Sequence, residues 1–263
     1  MQPILDHLPA WTLVFFRLTG LFIFAPLLGT YTIPLRVKLF LALVLSFAVY
    51  PVLLTPGTNA AALISPFVGG ELSLWALPGL VGLELLIGAV IGYVASLPIM
   101  GLQLGGHVMD QQMGLGLAAV LAGGGDETGM VSRFYFLMAT AIFVVLGGHV
   151  VLVGILAQSF HHVSLGGFVF DVSVVQMIVG LLSSAFDLAV RIAAPFLCLV
   201  FLETVAMGFI ARTVPQMNIL SIGFPLRILL GVGIIVVLLA SHSELFMIEM
   251  YDDLEQLLRM LSR

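Results

Sequence analysis

The order of apolar and polar positions divides the chain into long, almost uncharged runs. No Asp, Glu, Lys or Arg occurs between Lys38 and Glu71, and none between Arg133 and Asp171. A helix crossing the hydrocarbon core of a bilayer needs about 20 mostly apolar residues. Such runs and their breakers predict six spans, near residues 10–28, 37–54, 74–99, 134–157, 176–210 and 222–240. Gly and Pro recur inside them, which argues for helices rather than barrel strands that alternate over about 10 residues. The predicted fold class is therefore an all-α integral membrane protein of six long, kinked hydrophobic helices, organised as one domain over residues 1–263.

The connections differ in character. Residues 29–36 form a short turn in which Pro34 stops one helix and re-aims the next. Residues 55–70 and 158–175 read as linkers, the second carrying the pair His161–His162. The stretch 100–132 stands apart: it is rich in Gly, Gln and Met and contains Gly123–Gly124–Gly125. It is too polar to span and too apolar for a solvated loop. Irregular backbone at membrane depth is tolerated where it is buried in protein or lines a water-filled path, so this stretch reads as a re-entrant segment. The fifth span is overlong. Gln176 to Ala211 covers 36 residues, about 54 Å of helix, and Pro195 is expected to kink it. Residues 243–263 repeat Leu245, Ile248, Tyr251, Leu254, Leu257, Leu258 and Leu261 at helical spacing, predicting an amphipathic C-terminal helix bound to a membrane surface or, given its acidic face, to a protein neighbour.

Composition sharpens the class. Hydrophobic residues make up 61% of the chain and charged residues 9%, against roughly 45–50% and 25% in soluble domains. Mean hydropathy is +1.20. The net charge of −5 and the scattered basic residues leave no patch for nucleic acid. The start, MQPILDHLPAW, carries an acid and no basic n-region, so the first apolar stretch is expected to be retained. Arg36, Lys38, Arg133 and Arg212 flank the first, third and fifth connections, which by the positive-inside rule places both termini outside. Cys198, in an apolar run, reads as a buried, inert thiol. Gly82, Gly88 and Gly92 on the third span are expected to let partner helices approach closely.

Ionisable residues within the spans are Arg17, Glu84, Asp187, Arg191, Glu203 and Arg227. Such groups are functional candidates, because isolating a charge in lipid costs several kcal/mol. They carry both signs, and Asp187 and Arg191, four apart, share a helix face. A structural ion pair is favoured over a proton relay, which needs several acids of one sign around one cavity. His107, His149, His161 and His162 lack the spacing of a metal site. The glycine triplet is not followed by Lys-Ser/Thr, so no phosphate loop, cofactor site or catalytic arrangement is predicted. Met100, Met109 and Met113 are dense around the unusual stretch and could form a deformable seal, methionine being unbranched and adaptable. Ordinary packing explains them equally well.

RLTGLFIFAPLLGTYTIPLRVKLFLAL (Arg17–Leu43), QMGLGLAAVL (Gln112–Leu121), GGHVVLVGILAQSFHHVSLG (Gly147–Gly166) and RTVPQMNILSIGFPLRILLGVG (Arg212–Gly233) together resemble the FliR/SctT family of type III export-gate proteins. The resemblance implies a subunit of the bacterial inner membrane, in the flagellar basal body or an injectisome. It implies assembly with sister subunits of the FliP and FliQ families, near an FlhB-type specificity switch, into a channel for unfolded secreted proteins. It also implies that Gln112, Met113, Gly114, Leu115 and Gly116, within the segment 100–132, form a pore plug. Val214, Pro215 and Gln216 would form a partner-contact turn. The chain departs from the family pattern at His107 and Asp110, ahead of the plug, and at Asp126–Glu127 after it. A rival reading is a monomeric ion-coupled secondary transporter using Glu84, Asp187 and Glu203, although no internal repeat relates the two halves of the chain.

Overall fold

The computed structural model describes residues 2–29, 33–55, 59–68, 77–115, 129–167, 172–213 and 219–261. Among these residues every regular element is helical. Helix α1 covers Gln2–Phe24, α2 Leu35–Leu53, the short α3 Asn59–Ile64 with a 3-10 turn Ser65–Phe67, and α4 Leu77–Met113. Helices α5 and α6 cover Met130–Val145 and Gly148–His162, α7 Val172–Thr213, and α8 Ile219–Leu261.

Local chemistry accounts for several boundaries. Pro34, at φ −57° and ψ 140°, directly precedes α2, a position where the missing N–H costs no helical hydrogen bond. Helix α4 ends where Gly114 enters the left-handed region at φ +73°, and its N–H donates to the Gln111 carbonyl at 3.1 Å. The fourth predicted span is two helices, because Gly147 adopts φ +72° between α5 and α6. Gly148 lies against the Phe143 ring, where a Cβ would not fit.

Further expectations require correction. Residues 100–113, read as irregular, continue α4 without interruption. Gln103, Gln111 and Gln112 are good helix formers, and the helix-ending glycine, Gly114, comes later than the composition suggested. Residues 55–70 are not simply a linker, since α3 and a 3-10 turn occupy 59–67. The amphipathic tail is helical through 243–261 and continues α8, with no Gly after Gly233 to end it. Its buried positions there are Phe246, Met250, Asp253, Leu254 and Leu257, whereas Ile248 and Tyr251 are exposed. Cys198 is exposed in the chain rather than buried.

The chain forms two compact units. The first comprises residues 1–96, 143–179 and 251–263, and the second residues 97–142 and 180–250. In the first, Leu13, Val14, Leu18 and Leu21 of α1, Ile87 and Ile91 of α4, and Leu152, Ile155 and Leu156 of α6 are all buried. Helices α1 and α4 meet backbone to backbone. A Cβ at Gly20 would strike the Leu85 carbonyl, one at Gly88 the Arg17 carbonyl, and one at Gly92 the Leu21 carbonyl. Gly82, expected to serve the same purpose, has open space around it.

In the second unit Gly101 and Gly105 of α4 bring its backbone against Ala185 and Ala189 of α7, while Gly106 meets Ser132 and Tyr135 of α5. The four-residue spacing on both sides is the small-residue seam by which helices pack closely in lipid.

The most apolar of the long helices is the least buried within the chain. The most apolar window of α8 has mean hydropathy 2.5 and is 6% buried in the chain, against 2.1 and 67% for α4. A water-soluble chain would hide its most apolar helix. Five helices, or six spans if α5 and α6 count as one broken crossing, are long and apolar enough to cross a membrane.

Candidate functional site

The six ionisable residues of the spans fall into three ion pairs. In the first unit Arg17 of α1 and Glu84 of α4 are both fully buried. Nε of Arg17 donates to Oε2 of Glu84, and Nη2 donates to Oε1 at 3.1 Å. Nη1 donates to the Ser159 hydroxyl at 3.1 Å, and both terminal nitrogens reach the Val163 carbonyl at 3.4–3.5 Å. The Gly166 N–H donates to Oε1 of Glu84 at 2.7 Å. The guanidinium carbon lies 4.2 Å from the Phe160 ring centroid. A buried charge pair is tolerated when its geometry is bidentate and its remaining donors and acceptors are met. This node meets both conditions, and it ties α1, α4, α6 and the following turn together.

In the second unit Asp187 and Arg191 pair at 2.6 Å along α7, with side chains 58% and 60% exposed. The pair lies within one helix on an exposed face, not between helices of the chain. Glu203 of α7 and Arg227 of α8 pair at 2.8 Å. Arg227 also donates to the Thr204 hydroxyl at 3.2 Å and, through Nη1, to the Gln112 carbonyl at 3.3 Å. Each acid a transporter would need for ion coupling, Glu84, Asp187 and Glu203, is thus matched to an arginine.

The last turn of α4 is where the chain's unusual residues gather. Asp110, 2% exposed, accepts the Val131 N–H on one carboxylate oxygen at 3.0 Å and the Ser132 N–H on the other at 2.8 Å. It therefore caps the first turn of α5, whose N–H groups have no partner within the helix. Gly129 makes room for it, since a Cβ there would collide with the carboxylate. Sequence reasoning registered Asp110 only as a departure. A cap 20 residues upstream of the helix it serves leaves no local capping pattern.

Among the residues singled out from sequence, Gln112 is exposed, Met113 buried, and Gly114 and Leu115 half-buried. Gly116 and the turn Val214–Pro215–Gln216 lie outside the described residues. Met113 packs against Gly231 of α8, and the Phe224 ring lies over Gly114. The three methionines do not share a surface: Met109 and Met113 are buried, whereas Met100 is 48% exposed. Nine positions separate Met100 from Met109, which at 3.6 residues per turn is half a turn away. Buried polar contact continues at Tyr135, whose hydroxyl hydrogen-bonds Nδ1 of His242 at 2.7 Å. Among the described residues no group of three or more His, Cys, Asp or Glu side chains gathers as a metal site would require.

Long helices sewn by glycine seams, an apolar exterior and ion pairs closed inside the chain define a polytopic helical membrane protein. The chain belongs to the bacterial export proteins, family 1, whose family model matches residues 8–252. It is 29% identical to the flagellar biosynthetic protein FliR of Aquifex aeolicus over 87% of this chain and 83% of that protein. It is 27% identical to FliR of Bacillus subtilis, over 94% and 92% of the two chains. Its similarity extends to the Yop proteins translocation protein T of Yersinia pestis, 26% identical over 73% of this chain and 76% of that one.

Proposed function

We propose that this chain is a core subunit of the flagellar type III export gate. With sister subunits of the FliP and FliQ families and an FlhB-type specificity switch, it forms the inner-membrane conduit at the flagellar basal body through which unfolded proteins leave the cytoplasm. The observation that carries this reading is the family match over residues 8–252, joined to relatives named for flagellar biosynthesis and for protein translocation. It acts by shaping a passage, not by bond chemistry.

Two features of the fold support a role as one member of a many-chain tube. The 42 residues of α7 and the 43 of α8 give rods of about 63 and 65 Å, twice the hydrocarbon thickness of roughly 30 Å. The most apolar of the long helices is also almost bare within the chain. Within that tube Gln112–Gly116 serve as the plug. Their support is the break at Gly114, the exposure of Gln112 and the similarity of QMG to the family motif.

The experiment is deletion of residues 112–118 in cells carrying the complete apparatus. The assembled complex is expected at normal yield with raised permeability to small ions. An assembled complex with unchanged permeability overturns the plug. Solitary behaviour of the purified chain in mild detergent, with no companions, overturns the subunit reading in favour of a transporter.

A further inference from the structure

The turn that carries the plug residues is fastened to the rest of the second unit by groups on three other helices, and the fastenings follow one physical rule. Gln112 contributes one of the last carbonyls of α4, which lack partners inside their own helix. Arg227 supplies a donor to it at 3.3 Å and sets a positive charge at the negative end of the helix dipole. Arg227 is itself fixed, because Nε and Nη2 grip Oε2 of Glu203 at 3.2 and 2.8 Å. One turn earlier, Asp110 sets a negative charge against the positive end of α5 through two N–H donors. The carboxylate that precedes the candidate plug in sequence thus serves N–H groups that follow it, at Val131 and Ser132. Met113, 1% exposed, lies against Gly231, which the Phe196 ring also approaches.

We propose that Asp110 and Arg227 are the positioning residues of the plug. Asp110 ties the end of α4 to the start of α5, and Arg227 holds the carbonyl end of the helix that carries Gln112. Neither touches cargo. They act by fixing where the turn sits, and the proposal rests on reading Gln112–Gly116 as the plug. Asp110→Asn keeps the shape of the side chain but leaves one oxygen where two accept. Arg227→Gln removes the charge, and Arg227→Lys keeps the charge but loses the fork.

The test uses the full chain in its assembled complex and compares wild type, these three variants and the 112–118 deletion. Amide hydrogen exchange is read at residues 112–115 and 131–132, small-ion leak in the same preparations, and assembly yield as the control. Asp110→Asn is expected to speed exchange at Val131 and Ser132 by about tenfold or more, the loss of roughly one charged hydrogen bond. Arg227→Gln is expected to do the same at 112–115, with Arg227→Lys intermediate, and every variant to leak at normal yield.

Wild-type exchange in the assembled variants overturns the proposal. So does faster exchange without leak when the deletion itself leaks, since the contacts would then be merely local. Silence of the deletion and of all variants, with exchange raised, overturns the plug reading instead and leaves a fastened turn without a plug. Should Asp110→Asn fail to assemble, Arg227→Lys, at a side chain 30% exposed, carries the same comparison.

Discussion

Glu84 meets Arg17 in a two-point pair with neither side chain exposed. Because Ser159, Val163 and Gly166 complete the same node, loss of one partner strands several groups together. Removing one member of a buried pair typically costs about 3–5 kcal/mol. Arg17→Met and Glu84→Gln are each expected to lose at least about 3 kcal/mol, read as thermal unfolding of the purified chain in detergent. The double variant is expected to lose less than the two single losses added together. Full additivity would mean that the charges do not act as a pair.

Gly88 and Gly82 lie less than two turns apart on α4 but predict opposite outcomes. A methyl group at Gly88 would strike the Arg17 backbone, which cannot give way, whereas one at Gly82 meets nothing within 4 Å. Gly88→Ala is expected to destabilise by about 3 kcal/mol, at the upper end for overpacking. Gly82→Ala is expected to be neutral or stabilising by up to about 1 kcal/mol through helix propensity. Protease resistance of the two variants in detergent checks this, and equal sensitivity would contradict the α1–α4 seam.

Gly129→Ala is expected to push the Asp110 carboxylate from the first turn of α5, since the added Cβ would occupy its place. Loss of a capping side chain costs about 1–2 kcal/mol. The predicted signature is faster amide exchange at Val131 and Ser132, with the Arg17–Glu84 node unaffected. Unchanged exchange would mean that the cap accommodates a methyl group.

Asp187→Asn tests an exposed pair. Both side chains are more than half accessible, and such pairs contribute about 0–1 kcal/mol to a single chain. Unfolding of the isolated chain is therefore expected to shift by less than about 0.5 kcal/mol, while the yield of the assembled complex falls. Normal yield with lost proton dependence of export would assign the pair to a relay instead.

How far the sequence revealed the fold depended on the range of the interaction concerned. Hydropathy located the long helices because the demand of lipid for about 20 apolar residues is local and compositional. Pro34 marked the start of α2 for a similarly local reason. The break at Gly147 was present as Gly147–Gly148, but a glycine pair inside an apolar run equally permits an unbroken span. What stayed hidden was pairing at a distance. Arg17 and Glu84 lie 67 positions apart, Glu203 and Arg227 24 apart, and Asp110 serves N–H groups 21 and 22 residues on. Balanced charge within the spans hinted that pairs exist without saying which. Asp187 and Arg191 were legible because helical periodicity alone sets them side by side. The same periodicity turns Met100 away from Met109, since the helix continues through 113.

The length of α7 carries a consequence for mapping sidedness. If one end of a 42-residue rod sits at one hydrocarbon boundary and the rod stands upright, its other end projects about 33 Å past the opposite boundary. Of two reporter enzymes fused before Val172 and after Thr213, one would then sit far from the lipid. Such fusions would count the crossing but not its depth, so depth in this molecule has to be measured residue by residue.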